Sequence, residues 1–309
     1  MKTEIAVLAV VFAILPALFL SGAEETKVGF EILNDDAPIE QGDTLIFKLS
    51  DASSAKKSSV FIFGKHYYFN EKGVAFIGAS IVQPSGEYTA VLLDLTSESE
   101  SWWFQFFCRC CNCRKLEVLP GQFKNRPAAN KFNPTEKQKD RRIREGEMFQ
   151  AVYASVSSAE NLISGKFVSP LSNKNIGSLA ITDPFGIWRI YSRAKNDQEQ
   201  HRGVDLRTGK NVPVVSINSG VVIMAENDFL REGNVIVVYH GLGIFSLYAH
   251  LSEIKTAKGE KVAAGQVIGL SGATGNETIT GPHLHFAVKI YDAVVNPLKF
   301  IETANKYLE

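Results

Sequence analysis

From Phe167 to Lys289 the chain is a succession of short runs rich in Val, Ile and Gly, and no long helical period interrupts them. Val214 to Ser216, Gly220 to Met224, Val235 to His240, Ile244 to His250, Gln266 to Leu270 and His283 to Lys289 each have the length and branched content of a strand. Glycine-bearing turns separate them. Strands joined by turns too short for a crossover helix run antiparallel, so residues 167–309 are expected to form an antiparallel, barrel-like β structure.

A second β-rich stretch lies nearer the N-terminus. Thr44 to Leu49, Ser59 to Phe63, Val74 to Ile77, Tyr88 to Leu93 and Trp102 to Phe107 alternate with the turn signals Gly42-Asp43, Glu71-Lys72-Gly73 and Pro84-Ser85-Gly86. This spacing predicts a small β-sandwich. His66, alone among Tyr67, Tyr68 and Phe69, reads as structural. Between the two β regions, Asn133-Pro134-Thr135-Glu136 suggests a helix start with Asn133 as cap and Pro134 in the first helical position. A charged run from Lys137 to Glu147 follows, and then a modest apolar stripe of Met148, Phe149, Val152 and Tyr153, suited to docking one domain on another. The fold class is therefore all-β, with a β-sandwich at 24–125, a helical linker at 126–166 and the larger β domain at 167–309.

Residues 1–23 read as a signal peptide, with Lys2 ahead of an apolar run from Ile5 to Leu20 and small residues at Ser21 and Ala23. A retained single anchor is the alternative, and both readings place the body of the protein outside the cytoplasm. No later segment is long and apolar enough to span a bilayer as a helix. Lys plus Arg and Asp plus Glu each total 33, so the chain has no bulk bias toward nucleic acid or an anionic surface. The four cysteines fall together in Cys108-Arg109-Cys110-Cys111-Asn112-Cys113. On a strand they would divide between two faces, which suits local disulfides in an exported protein better than a metal site.

The chemistry concentrates in three motifs: His201-Arg202-Gly203-Val204-Asp205, Tyr248-Ala249-His250-Leu251 and Gly281-Pro282-His283-Leu284-His285-Phe286. His283 and His285 are two apart on a strand, so both leave one face about 6.6 Å apart along the backbone. A catalytic zinc typically takes three protein ligands and keeps a fourth position open. His201, Asp205 and one of the His283/His285 pair would make such a set, with Gly203 letting the backbone bend so that the first two converge. If His240 pairs with Ile244 around Gly241-Leu242-Gly243, then Asn234 pairs with His250 and the two histidines lie roughly 20 Å apart. His240 then reads as structural. His250 would share a polar, cleft-lining face with Ser246 and Tyr248.

These motifs, together with Phe185-Gly186, Pro213-Val214, Gly220-Val221-Val222, His240-Gly241-Leu242-Gly243, Gly265-Gln266-Val267-Ile268-Gly269 and Asn296-Pro297, make the segment from about Phe185 to Phe300 resemble the lysostaphin-type, or LytM-like, zinc endopeptidases of bacterial cell walls. The sandwich and linker resemble accessory regions of exported members more loosely. The resemblance implies one zinc ion per chain held by His201, Asp205 and His285, with His250 and His283 assisting catalysis. It further implies a peptidoglycan peptide as substrate and a periplasmic or cell-envelope location. Two departures stand out: Asn211-Val212 where the family usually has Gly before Pro-Val, and a slightly longer loop at Gly275-Asn276-Glu277-Thr278-Ile279-Thr280. Asn can adopt the left-handed geometry the first position needs, and the second bears on substrate preference.

Two other classes compete with this reading. A non-catalytic wall-binding or amidase-activating module could use this fold, but such relatives usually lack one or more ligands, and here all five positions are filled. Lys258-Gly259-Glu260-Lys261-Val262 and Gly265 to Gly269 also resemble hairpins of biotinyl and lipoyl carriers, which need no histidine cluster.

Overall fold

A computed structural model describes residues 28–34, 38–96, 113–128, 134–156, 159–172, 176–192, 197–275 and 281–308. The signal segment, the run Trp102 to Phe107, Cys108 to Cys111, Asn133 and most of the loop at 275–280 lie outside the described residues. Cys113 is exposed at the start of a strand.

The N-terminal strands are β1 (Phe30–Ile32), β2 (Ile39–Glu40), β3 (Thr44–Leu49), β4 (Ser58–Ile62), β5 (Lys65–Tyr68), β6 (Val74–Gly78), β7 (Gly86–Asp94) and β8 (Cys113–Leu119). They form a three-stranded sheet in the order β1-β3-β6 and a five-stranded sheet in the order β2-β8-β7-β4-β5. Leu45, Phe47, Val60, Ile62, Phe76 and Val118 from both sheets are buried in one core. His66 sits beside Ser59, with Nδ1 and Oγ 3.1 Å apart.

Strand β9 (Asn125–Pro127) leads to helix α1 (Glu136–Ala154). The cap is Thr135, not Asn133: its hydroxyl accepts from the Gln138 backbone and the Gln138 side chain reaches back, a full capping box. Pro134 therefore precedes the helix. The apolar stripe works as a docking face, with Phe149 5.5 Å from Phe229 and Tyr153 4.9 Å from Phe245, both edge-on. Met148 stays exposed.

The remaining strands are β10 (Ile181–Asp183), β11 (Trp188–Ser192), β12 (Asp197–Gln200), β13 (Val204–Arg207), β14 (Pro213–Val215), β15 (Gly220–Phe229), β16 (Gly233–Tyr239), β17 (Ile244–Ile254), β18 (Lys261–Val262), β19 (Val267–Ser271), β20 (His283–Ile290) and β21 (Ala293–Val295). The large sheet runs β10-β13-β20-β17-β16-β15-β18, with β14, β19 and β21 joined at its sides, and its pairings are antiparallel. The all-β expectation holds. Asn211 takes the left-handed conformation, φ 62°, as its place before Pro213 requires.

Helix α2 (Pro297–Tyr307) closes the chain; Asn296 caps it and Pro297 opens it. Its Phe300 packs 6.3 Å from Phe76 of the N-terminal sheet and 4.9 Å from Phe167. Tyr67 meets Tyr291 at 4.8 Å, and a Cβ on Gly78 would fall 2.8 Å from Ala293. One continuous apolar core thus runs from the N-terminal sheets into the large sheet. Phe149, Val152 and Tyr153 of helix α1 pack against large-sheet residues around Phe229 and Phe245.

Candidate metal centre and cleft

Strand β20 lies between β13 and β17, and this order assembles the site. Asp205 is directly opposite His285 on β13, and Ala249 is opposite His285 on β17. Cross-strand partners share a face, so Asp205 and His285 project together. His201 joins them from the turn before β13: its backbone N–H donates to Ile187 and its carbonyl accepts from Gly186. Its Nδ1, 3.0 Å from the Pro184 carbonyl, must donate there, which leaves Nε2 with a free lone pair.

His201 Nε2, His285 Nδ1 and Asp205 Oδ1 form a triangle with edges of 3.1, 2.8 and 3.1 Å. Two imidazole nitrogens and a carboxylate oxygen are suitable zinc donors, and zinc bonds of about 2.0–2.2 Å require ligand atoms close to this spacing. The donor set fits a zinc ion. The two histidines hold the Asp205 carboxyl well below the usual carboxylate range although burial opposes this. The backbone bends at Gly203 as expected, without a positive φ, and a Cβ there would come 2.7 Å from the His285 ring. Glycine is needed for close approach.

His250 reaches the site through an irregularity. Since Ala249 faces His285, regular alternation would turn His250 to the opposite face. Instead His250 has φ 63°, and the β16–β17 register slips so that Asn234 pairs with Leu251, not with His250 as regular pairing would give. The His250 ring comes 4.8 Å from His283 and 5.9 Å from His285. Ser246 and Tyr248 do not share its cleft face; both are fully buried, beside His240. On β17 the cleft is lined instead by Phe245 and Leu247, together with His250.

His250 Nδ1 donates to the Thr274 carbonyl at 3.0 Å, and His283 Nδ1 to Gly281 at 2.9 Å. The remaining nitrogen of each ring keeps its lone pair, and His283 Nε2 is buried without a partner among the described residues. Burial, reinforced by the neighbouring His285 and His283, pushes the His250 imidazolium down to about 3. The cleft beside these groups has a volume of about 660 Å³, and Tyr153, Trp188, Gln198, Arg202, Leu247 and Lys289 are among the residues that line it.

Residues 199–297 match the model of Peptidase family M23. This segment is an M23 peptidase domain. It holds His201, Asp205, His250, His283 and His285. The chain is 42% identical over 99 residues to the peptidoglycan DD-endopeptidase ShyA of Vibrio cholerae, covering 32% of this chain and 22% of that protein. It is 34% identical over 137 residues to the DD-carboxypeptidase/endopeptidase Mpg of Neisseria meningitidis, covering 43% of this chain and 30% of that protein. The chain thus spans less than a third of the length of these relatives. Beyond the M23 domain, the fold is similar to that of a putative peptidase M23 from Pseudomonas aeruginosa, with a TM-score of 0.61 and 23% identity over 86% of this chain and 96% of that one.

The groups that hold the second oxygen of Asp205 carry no signal in the sequence. Arg189 Nη2 donates to Asp205 Oδ2 at 2.9 Å, and Arg189 Nε to Asp183 Oδ2 at 2.6 Å. Neither residue belongs to a motif, and their meeting depends on a sheet register that no local pattern encodes.

Proposed function

We propose that this chain is an exported zinc-dependent endopeptidase that hydrolyses peptide bonds in bacterial peptidoglycan, in stem-peptide cross-links or cross-bridges. The triangle of His201, Asp205 and His285 donor atoms beside an extended cleft carries this reading. The likeness of the M23 domain to a peptidoglycan DD-endopeptidase and to a DD-carboxypeptidase/endopeptidase supports the substrate class. A periplasmic or cell-envelope location fits that substrate, and among the described residues no helix is long and apolar enough to cross a membrane.

His201, Asp205 and His285 would hold one zinc ion. When bound, the ion supplies Lewis acidity that polarises the scissile carbonyl and acidifies water. His250 and His283 act beside it as bases, because each donates its Nδ1 proton to a backbone carbonyl and presents the other nitrogen to the cleft. One such nitrogen accepts the proton of the attacking water; the proton then goes to the departing amine. Phe245 and Leu247 supply an apolar wall against which the peptide lies.

The test is mass spectrometry of muropeptides released from purified peptidoglycan by the zinc-loaded protein, with His285→Ala as control. Loss of cross-linked species only with the parent establishes the activity and identifies the bond. Unchanged muropeptides with a parent that holds zinc would refute it and leave a binding role for the same cleft.

A further inference from the structure

The carboxylate that completes the metal triangle is held from outside the M23 domain. Asp183 on β10 stands directly opposite Asp205 on β13. Two carboxylates facing each other across strands, both buried, repel unless a cation lies between them. Arg189 fills that place: its Nε donates to Asp183 Oδ2 at 2.6 Å and its Nη2 to Asp205 Oδ2 at 2.9 Å. The guanidinium fork suits this double contact, which a lysine ammonium could not reproduce.

The other oxygen of Asp183 accepts from Arg126 Nε at 3.0 Å. Arg126 lies on β9, which runs parallel to β11 with Arg126 opposite Arg189. Two arginines and two aspartates therefore alternate in the series Arg126, Asp183, Arg189, Asp205. The arrangement balances its own charge and leaves Asp205 Oδ1 for the metal.

A second line of contacts leads from the same segment to His201. The Trp188 backbone donates to Lys124 at 2.9 Å, and Ala128 donates to Ile190 at 2.9 Å. The Phe123 ring lies against Gly186 at a distance no Cβ could share, and edge-on to Phe185 at 6.1 Å. Gly186 in turn donates to the His201 carbonyl at 2.9 Å, and neighbouring Pro184 accepts from the His201 ring. Residues 121–127 thus brace two members of the triangle by separate routes. Arg126, Asp183 and Arg189 all precede residue 199, where the family match begins.

We infer that residues 121–127 form part of the metal centre, with Arg126, Asp183 and Arg189 as positioning residues that set the affinity of His201, Asp205 and His285 for their ion. This inference rests on the zinc reading given above. Groups that orient a metal ligand typically change affinity by 10–100-fold when removed. Arg189→Gln should weaken zinc binding by at least about 10-fold, with Arg189→Lys intermediate because it keeps the charge and loses the fork. Arg126→Gln should weaken it less, on the order of 3-fold, since Arg126 is half exposed and one step further out. Arg126→Lys should restore most of that loss, because among the described residues Asp183 is the one side chain that the Arg126 guanidinium contacts, and by a single hydrogen bond.

The experiment measures zinc affinity of the full chain by competition with a chromophoric chelator, together with the visible spectrum of the cobalt-loaded protein. Thermal midpoints of the metal-free variants are recorded alongside. Weakened zinc and a shifted cobalt spectrum in Arg189→Gln and Arg126→Gln, with recovery in Arg126→Lys, support the inference. Parent-like zinc affinity in both glutamine variants overturns it, and a lowered metal-free midpoint would then assign the series to fold stability alone. A parent that binds no zinc overturns the functional reading, and this inference with it.

Discussion

Two buried histidine neighbourhoods lie at opposite ends of the same hairpin, and they differ in what their second nitrogen can do. His240, before the turn, has Nδ1 2.8 Å from the Ser219 carbonyl and Nε2 2.7 Å from Ser246 Oγ. The Ser246 hydroxyl lies 3.0 Å from Tyr248 Oη, which accepts from the Ile217 backbone. Every polar group there is satisfied within a sealed core. At the far end, His201, His250 and His283 each spend one nitrogen on a backbone carbonyl; His201 turns the other toward Asp205 and His285 in the triangle, and His250 and His283 make no bond with theirs among the described residues. Burial depresses the imidazolium in both neighbourhoods, to about 4 at His240 and about 3 at His250. A depressed pKa alone does not separate a structural histidine from a working one. Hydrogen-bond saturation does.

That contrast can be broken most decisively at the triangle. Asp205→Ala and His285→Ala should each abolish zinc retention after dialysis, measured by elemental analysis. Activity should fall by more than the 10–100-fold typical of changes one shell further out. A His285→Ala protein that keeps one zinc per chain would contradict the ligand assignment. The next largest effect belongs to His283→Ala, which should keep the metal and lose roughly 10²–10⁴-fold in kcat, the usual cost of removing a general base or acid. Loss of zinc in that variant would move His283 into the ligand set. None of these three substitutions should disturb the His240 neighbourhood, so near-parental melting of the metal-free variants is the control.

Much of this arrangement was legible in the sequence, and the parts that were not have identifiable physical causes. The runs of Val and Ile between glycine turns gave the main strands of the large sheet to within a few residues, because half-buried strands need branched side chains. Strand β13 escaped notice although it carries Asp205: four residues are too few to show a period. The approach of His250 to the cleft depends on a positive φ at a residue other than glycine, which composition does not announce. Helix α2 had its signal in Asn296-Pro297, a cap followed by a first-turn proline. The Arg126 to Asp205 series had no local signal at all, since it exists only once β9, β10, β11 and β13 have come together.

The smallest expected effect tests the structural half of the contrast through pH. The folded His240 pKa of about 4 lies below the ordinary 6.5, so between these values the unfolded chain binds a proton that the folded chain does not. Stability linked to this residue is therefore complete above about pH 6.5 and is lost as pH falls toward 4. The loss should reach ~2 kcal/mol by pH 5 and about 3 kcal/mol at its limit. His240→Gln can still pair with Ser219 and Ser246 but cannot take up the proton. Its stability at pH 7 should drop by roughly 1–2 kcal/mol from imperfect fit. The gap between parent and variant should then narrow as pH is lowered. Urea unfolding of both metal-free proteins at pH 7 and pH 5 measures that gap, and because His250 titrates in both, its contribution cancels in the difference. Curves that stay parallel across this range would mean that His240 is not held neutral by its surroundings, and the contrast between the two ends of the hairpin would lose its electrostatic half.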